Sequence, residues 1–199
     1  MPVFSGERAT QMAGRLHRTA VRRGVSDPGL VTEAFRWAMQ PRQARLDDDH
    51  DPRFLHPGRT ALILMDDAGI TDPVTLAAAV FAETEAPELA WSPETVPGAS
   101  DPRLDEALTL ARAIPLPKDD EGLTEALVTA RDPIAVVALA EYLDQLRHLR
   151  AWASPETIRA RGETAARVLV PVAGRVDPAL ERRLGWWVRR VEGLDAGGT

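Results

Sequence analysis

The chain of 199 residues contains no cysteine. That excludes disulfides, thiolate metal sites and cysteine nucleophiles, and it fits a reducing compartment. Long apolar runs are missing as well. None approaches the roughly 20 uncharged residues that a bilayer span requires, and the opening MPVFSGERATQMAGRLHRTA has no apolar segment long enough for a signal peptide. A soluble, cytoplasmic protein is therefore expected, with no membrane partner. Strand-like alternation is nearly absent. No G-x-G-x-x-G, P-loop or G-x-S-x-G pattern occurs, which removes the common dinucleotide, phosphate-loop and serine-elbow chemistries. Positive charge is in short supply: 24 Lys and Arg stand against 30 Asp and Glu, for a net charge of -6. That balance argues against a nucleic-acid partner, which wants a net basic face. Arginine dominates the basic residues, so a local pocket for a phosphorylated small molecule stays open.

What is present is helical spacing along almost the whole chain. Ser5 is expected to open a first helix that runs to about Arg23 and stops at Gly24. SDPGLVTEAFRWAMQ reads as a second, capped by Ser26 or Asp27. PRQARLDDDHDPRF is polar and proline-bounded, and reads as a surface loop. HPGRTALILMDDAG follows as a helix stopped by Gly69, and Asp72-Pro73 opens VTLAAAVFAETEA. Residues 90–102 form a loose, proline-rich connection. Further helices are expected at about 101–113, 119–131, 133–150, 154–174 and 177–193. Asp132-Pro133, Ser154-Pro155 and Asp177-Pro178 supply the clearest starts. The expectation is an all-α domain, a single unit over residues 1–199 with about eight to nine helices, and no internal repeat.

FLHPGRTALILMDDAGITDPVTLAAAVFAETEA resembles the HD-domain hydrolases of the RelA/SpoT type, which hydrolyse guanosine tetraphosphate, ppGpp. His56-Pro57 matches the family's histidine-proline pair, and Gly69 to Asp72 match its G-I-T-D turn. Ala78 to Phe81 match the small and apolar lead-in to its H-D-x-x-E-D segment. PRQAR stands where the family has H-x-x-Q-x-R, and LAEYLDQLRHL lines up with L-A-D-K-L-x-N-L-R-x-L. The likeness covers roughly residues 30–175.

It implies an HD-like helical domain around a divalent metal, manganese in the ppGpp hydrolases, held by two histidines and two aspartates. Such a metal activates water and polarises phosphoryl oxygens. In this sequence the first histidine is His56, but the second is Ala82. Glu83 and Glu141 replace the two aspartates, Ala86-Pro87 replace the assisting acidic pair, and Gln145 replaces an asparagine near the nucleotide. An Asp-to-Glu change moves the carboxylate outward by roughly 1.5 Å, where a ligand must sit within about 0.2 Å of its ideal distance. The leading expectation is a degenerate HD-domain protein with no catalytic residues and no required cofactor, kept for nucleotide binding or protein interaction. Arg42, Arg45, Arg59, Gln145 and Arg147 are its candidate contacts to a phosphorylated guanine nucleotide. The alternative is an active metal-dependent phosphohydrolase that uses Mn2+ on a rebuilt set of His56, Glu83 and Glu141, with Glu85 or Glu88 standing in for the acidic pair. A third reading is a purely structural partner module, such as a homodimer through its C-terminal helices. His17 and His148 read as surface or tolerant positions. His50 in LDDDHD reads as part of a solvated acidic loop, since the run lacks a calcium loop's glycine and distal glutamate. Trp186-Trp187 read as core, with a partner-facing patch as the alternative.

Overall fold

Capped proline starts set most of the helices in the computed structural model, which describes residues 6–84, 86–92, 101–115, 120–151 and 153–195. Asp27 accepts the Leu30 amide at 3.1 Å and opens α2, Pro28–Arg45. Asp72 accepts from Thr75 at 2.8 Å and opens α4, Pro73–Phe81. Asp101 does the same for α5, Pro102–Arg112, and Ser154 for α8, Pro155–Thr164. Asp177 takes both the Ala179 and Leu180 amides and starts α10, Pro178–Asp195. Each cap satisfies amides that a helix start leaves without partners, and the proline contributes its fixed φ. Asp132 departs from this pattern. The cap position is Arg131, without a side-chain bond, and Asp132 lies in the first turn of α7, Asp132–His148.

The remaining helices are α1, Glu7–Arg23; α3, His56–Asp66; α6, Asp120–Thr129; and α9, Val170–Val176. Gly24 closes α1 at φ 76°, donating to the Ala20 and Val21 carbonyls, and Gly69, at φ 67°, follows the end of α3. Both are left-handed positions that favour glycine. A π turn, Ala165–Leu169, joins α8 to α9, so the two form one rod. The widened turn accommodates Pro171, whose ring would clash with a carbonyl four residues back. Counted this way, nine helices and no strand occur among the described residues. None of those helices is long and apolar enough to cross a membrane.

α4 is buried all round: Leu76, Ala77, Ala78 and Ala79 are wholly inaccessible. Its small side chains let α2, α3, α5 and α7 close around it. α7 is the other axis, with Leu139, Ala140 and Leu143 fully buried. It packs on α3, α4 and α5 on one side and on α6, α9 and α10 on the other. One continuous apolar cluster results.

Two helix ends and one side chain's burial differ from the sequence expectation, for physical reasons. α2 runs through Pro41 to Arg45, so PRQAR is helix and not surface loop. Arg42 anchors that last turn, with its guanidinium wholly inside the protein. α4 ends at Phe81, short of the expected Ala86, with Ala82 already extended. There the amides that would continue the helix are taken by side chains: Thr84 N–H donates to Glu141 at 2.9 Å and Ala86 N–H to Glu83 at 3.0 Å. Pro87 then disfavours helix at Ala86 and leads a 3-10 turn, Pro87–Leu89. Finally, Trp187 is core but Trp186 is 54% exposed, because α10 turns only one of the two adjacent rings inward. Ser5, Glu85 and most of the proline-rich connection, 93–100, lie outside the described residues.

Candidate functional site

Two carboxylates three residues apart on a helix share a face. On α7 these are Glu141 and Asp144, and both point at His56 in the first turn of α3. Asp144 Oδ2 lies 2.7 Å from His56 Nδ1, and Glu141 Oε2 lies 2.5 Å from Nε2. All three side chains are buried. A ring with an acceptor on each nitrogen donates from both, which makes it an imidazolium. Burial alone would pull the His56 pKa down, but Glu141 and Asp144 outweigh it and lift the group to about 10. Burial likewise opposes ionisation of Glu141 and Asp144, yet His56 holds both below the ordinary carboxylate range.

Each carboxylate has further partners. Glu141 Oε1 accepts from the Thr84 amide and hydroxyl, at 2.9 and 3.0 Å, and from Gln145 Nε2 at 2.8 Å. Asp144 receives a forked bond from Arg59, with Nε and Nη2 each at 2.8 Å. On the other flank, Arg42 pairs with Glu83, whose side chain is 5% exposed. The same guanidinium donates to the carbonyls of Ala38 (3.1 Å), Arg53 (3.1 Å) and Leu89 (2.8 Å). Leu89 is itself buried, and nearby in the chain Trp91 stacks on Phe81 at 5.0 Å. Burial raises the Glu83 carboxyl above its usual range, with Arg42 pulling against it.

Six ionisable groups thus meet: Arg42, Arg59 and protonated His56 against Glu83, Glu141 and Asp144. Three cations face three carboxylates. The cluster is neutral only while His56 keeps its proton.

No family model, curated protein or solved structure matches the chain. The geometry therefore carries the functional argument by itself. The cleft beside the cluster is lined by Pro52, Arg53, His56, Arg59, Glu83, Asp144, Gln145 and His148, and offers about 30 Å³. That holds a water or two, against the roughly 300 Å³ and upward of small-molecule sites.

Of the residues singled out in the sequence, His56, Glu83, Glu141, Gln145, Arg42 and Arg59 converge on this cluster. Ala82 is buried at the end of α4, beside Glu83. Arg45 is outside it, donating to the carbonyl of Glu88, which is itself exposed in the Pro87–Leu89 turn. Arg147 is not brought to the cleft either. It pairs with Asp67 at 3.2 Å on another surface. Ala86 and Pro87 offer only backbone to the site; the Ala86 amide serves Glu83. His17 is exposed, and His50 is exposed beside Asp48 and Asp49. His148 bonds the Asp144 carbonyl at 2.8 Å, and burial lowers its pKa. Asp144 and Thr84 were not singled out. The signal for Asp144 was available: Glu141, Asp144, Gln145 and His148 make a polar stripe at helical spacing on an apolar helix.

Proposed function

We propose that this is a non-hydrolysing HD-like helical domain, in which the positions of a metal site serve as an internal ion cluster and the working role is binding. The observation that carries this reading is the charge balance around His56. A divalent metal needs a neutral imidazole. With His56 deprotonated and the ion in place, the buried cluster would hold a surplus positive charge, next to two fixed guanidinium groups. A surplus buried charge is costly, whereas the protonated cluster is neutral and fully hydrogen-bonded. Arg42 already occupies Glu83, one of the carboxylates that a metal would use. The residues present do not fit the metal that the family resemblance implies.

The same geometry argues against a nucleotide in this cleft. Arg42 is buried against Glu83, Arg59 directs Nε and Nη2 to Asp144, and Gln145 donates to Glu141, and the space is too small. Interaction with another protein is the form of binding that remains best supported.

One observation favours the alternative, an altered metal-dependent phosphohydrolase. Asp144 sits on His56 Nδ1 in the manner of the carboxylates that support metal-bound histidines, with Nε2 turned toward Glu141. Two measurements separate the readings. Titration calorimetry with Mn2+ is expected to show no stoichiometric binding, and ppGpp with Mn2+ is expected to release no pyrophosphate above background. Manganese-dependent release that His56→Ala abolishes would establish the hydrolase instead.

A further inference from the structure

The outer face of α10 has an unusual composition for a surface helix. Leu180, Leu184, Trp187, Val188 and Val191 form its buried stripe. The opposite stripe carries Arg182, Arg183, Trp186, Arg189 and Arg190, all exposed. Trp186 is 54% exposed, with the Arg190 guanidinium 5.3 Å above its ring. Trp186 thus adds a large apolar surface to a face otherwise made of arginines, the pairing enriched at interface hot spots.

This face walls an open groove of about 910 Å³, bounded by Asp66 and Asp67 at the end of α3 and by Arg147 on α7. Asp67 is shared between two guanidinium groups, Arg147 at 3.2 Å and Arg183 at 3.0 Å. Asp66 is likewise shared between Arg22 and Arg23. Among the described residues, no carboxylate pairs with Arg182 or Arg189. On a chain whose net charge is -6, this is a concentrated patch of positive charge around an aromatic anchor. Tryptophan and arginine are the residues that carry most binding energy at protein interfaces.

We propose that the α10 groove is a docking site for an acidic, amphipathic segment of a partner protein, which places an apolar side chain against Trp186 and carboxylates against Arg182 and Arg189. The stripe from Ala179 to Arg190 is about three helical turns, roughly 17 Å, so the segment would be about a dozen residues long. A protein segment suits the site better than nucleic acid. The groove also contains Asp66, Asp67 and Glu181, which interrupt the continuous basic track that a phosphate backbone wants. The inference stands apart from the fate of metal chemistry at His56, because the two sites share no residue and the assay reads binding alone.

The test uses the full chain and a fluorescein-labelled helical peptide with a leucine stripe flanked by glutamates, followed by anisotropy. Arg182→Glu/Arg189→Glu should weaken binding at least about tenfold, and Trp186→Ala by roughly tenfold. Thermal melts should not move, since these side chains are exposed, and a scrambled peptide of the same composition should bind several-fold more weakly. Equal binding by the variants, or by the scrambled peptide, would overturn the proposal. So would tighter binding of an oligothymidylate that is lost in the same variants, which would assign the face to nucleic acid. Self-association that disappears with Arg182→Glu/Arg189→Glu would put a second copy there and overturn it equally.

Discussion

At His56 the two ring nitrogens face Glu141 and Asp144, with Arg42, Arg59 and Glu83 completing its charged surroundings. A histidine whose pKa is raised to about 10 in the folded chain contributes stability that is fully present below its unfolded value near 6.5. That contribution is lost as pH rises through about 10. Glu141 and Asp144, held low, work in the opposite direction: their contribution is present above the unfolded carboxylate range and lost as pH falls through their folded values. Urea unfolding of the wild type is expected to show stability declining from about pH 6.5 to 10, on the order of a few kcal/mol. His56→Gln should be less stable near neutrality and lack that alkaline slope. A variant that keeps the wild-type slope would show that His56 is neutral in the fold. His56, Glu83 and Glu141 were legible in the sequence as members of one site, through their places in the matched segments. Arg42 was not legible as a buried group. It continues the Phe35, Ala38, Met39 stripe at helical spacing, but its charge and the neighbouring Pro41 make the segment look like a loop. Only the partners from Glu83, Arg53 and Leu89 make its burial affordable, and those are distant in the chain.

At the level of elements, the proline-led helix starts were readable because a cap and the proline after it act within a few residues. The ends of α2 and α4 were not, because both are decided by the contact between them. Arg42 holds the last turn of α2 inside the protein, and Glu83 turns the chain away from helix after Phe81 to reach it. Glu83→Ala should therefore cost about 3–5 kcal/mol, since it leaves a buried guanidinium without its counter-charge. Glu83→Ala together with Arg42→Met should recover part of that loss. Arg45→Ala, whose side chain is exposed, should change stability by less than about 0.5 kcal/mol. Denaturant midpoints measure all three. A Glu83→Ala protein as stable as wild type would mean that Arg42 is satisfied by the carbonyls of Ala38, Arg53 and Leu89 alone. The far end of the molecule makes the complementary point. Helical spacing marks Leu180, Leu184, Trp187 and Val191 as the inner face of α10, and the same spacing places Trp186 outside. Reading Trp186-Trp187 as one core pair overlooks the roughly 100° between adjacent helical residues.

Over the whole molecule, the all-α class followed from the near absence of strand alternation, but how the two halves join did not. Neither half shows an evident core of its own in the sequence, and the structure gives the reason: α7 is core to both. Its Leu139 and Leu143 are fully buried, and the helix packs on α3, α4 and α5 as well as on α6, α9 and α10. The charged cluster adds to this linkage, because Glu141 and Asp144 tie α7 to α3 and to the chain after α4. Unfolding either half would strip apolar cover from the helix that the other half needs, so the halves should unfold together. Two probes can follow them separately. Emission from Trp37 and Trp91 reports the α2 and α4 side, where the rings lie 5.6 Å apart, and that from Trp187 reports α10, each isolated by replacing the other tryptophans with phenylalanine. Leu143→Ala should destabilise by about 2–5 kcal/mol, as large-to-small core changes do, and shift both transitions by the same amount. If the α10 probe moved while the Trp37 and Trp91 probe stayed, or the reverse, the chain would be two cooperative units sharing a helix, and the ion cluster would stabilise only the one that contains it.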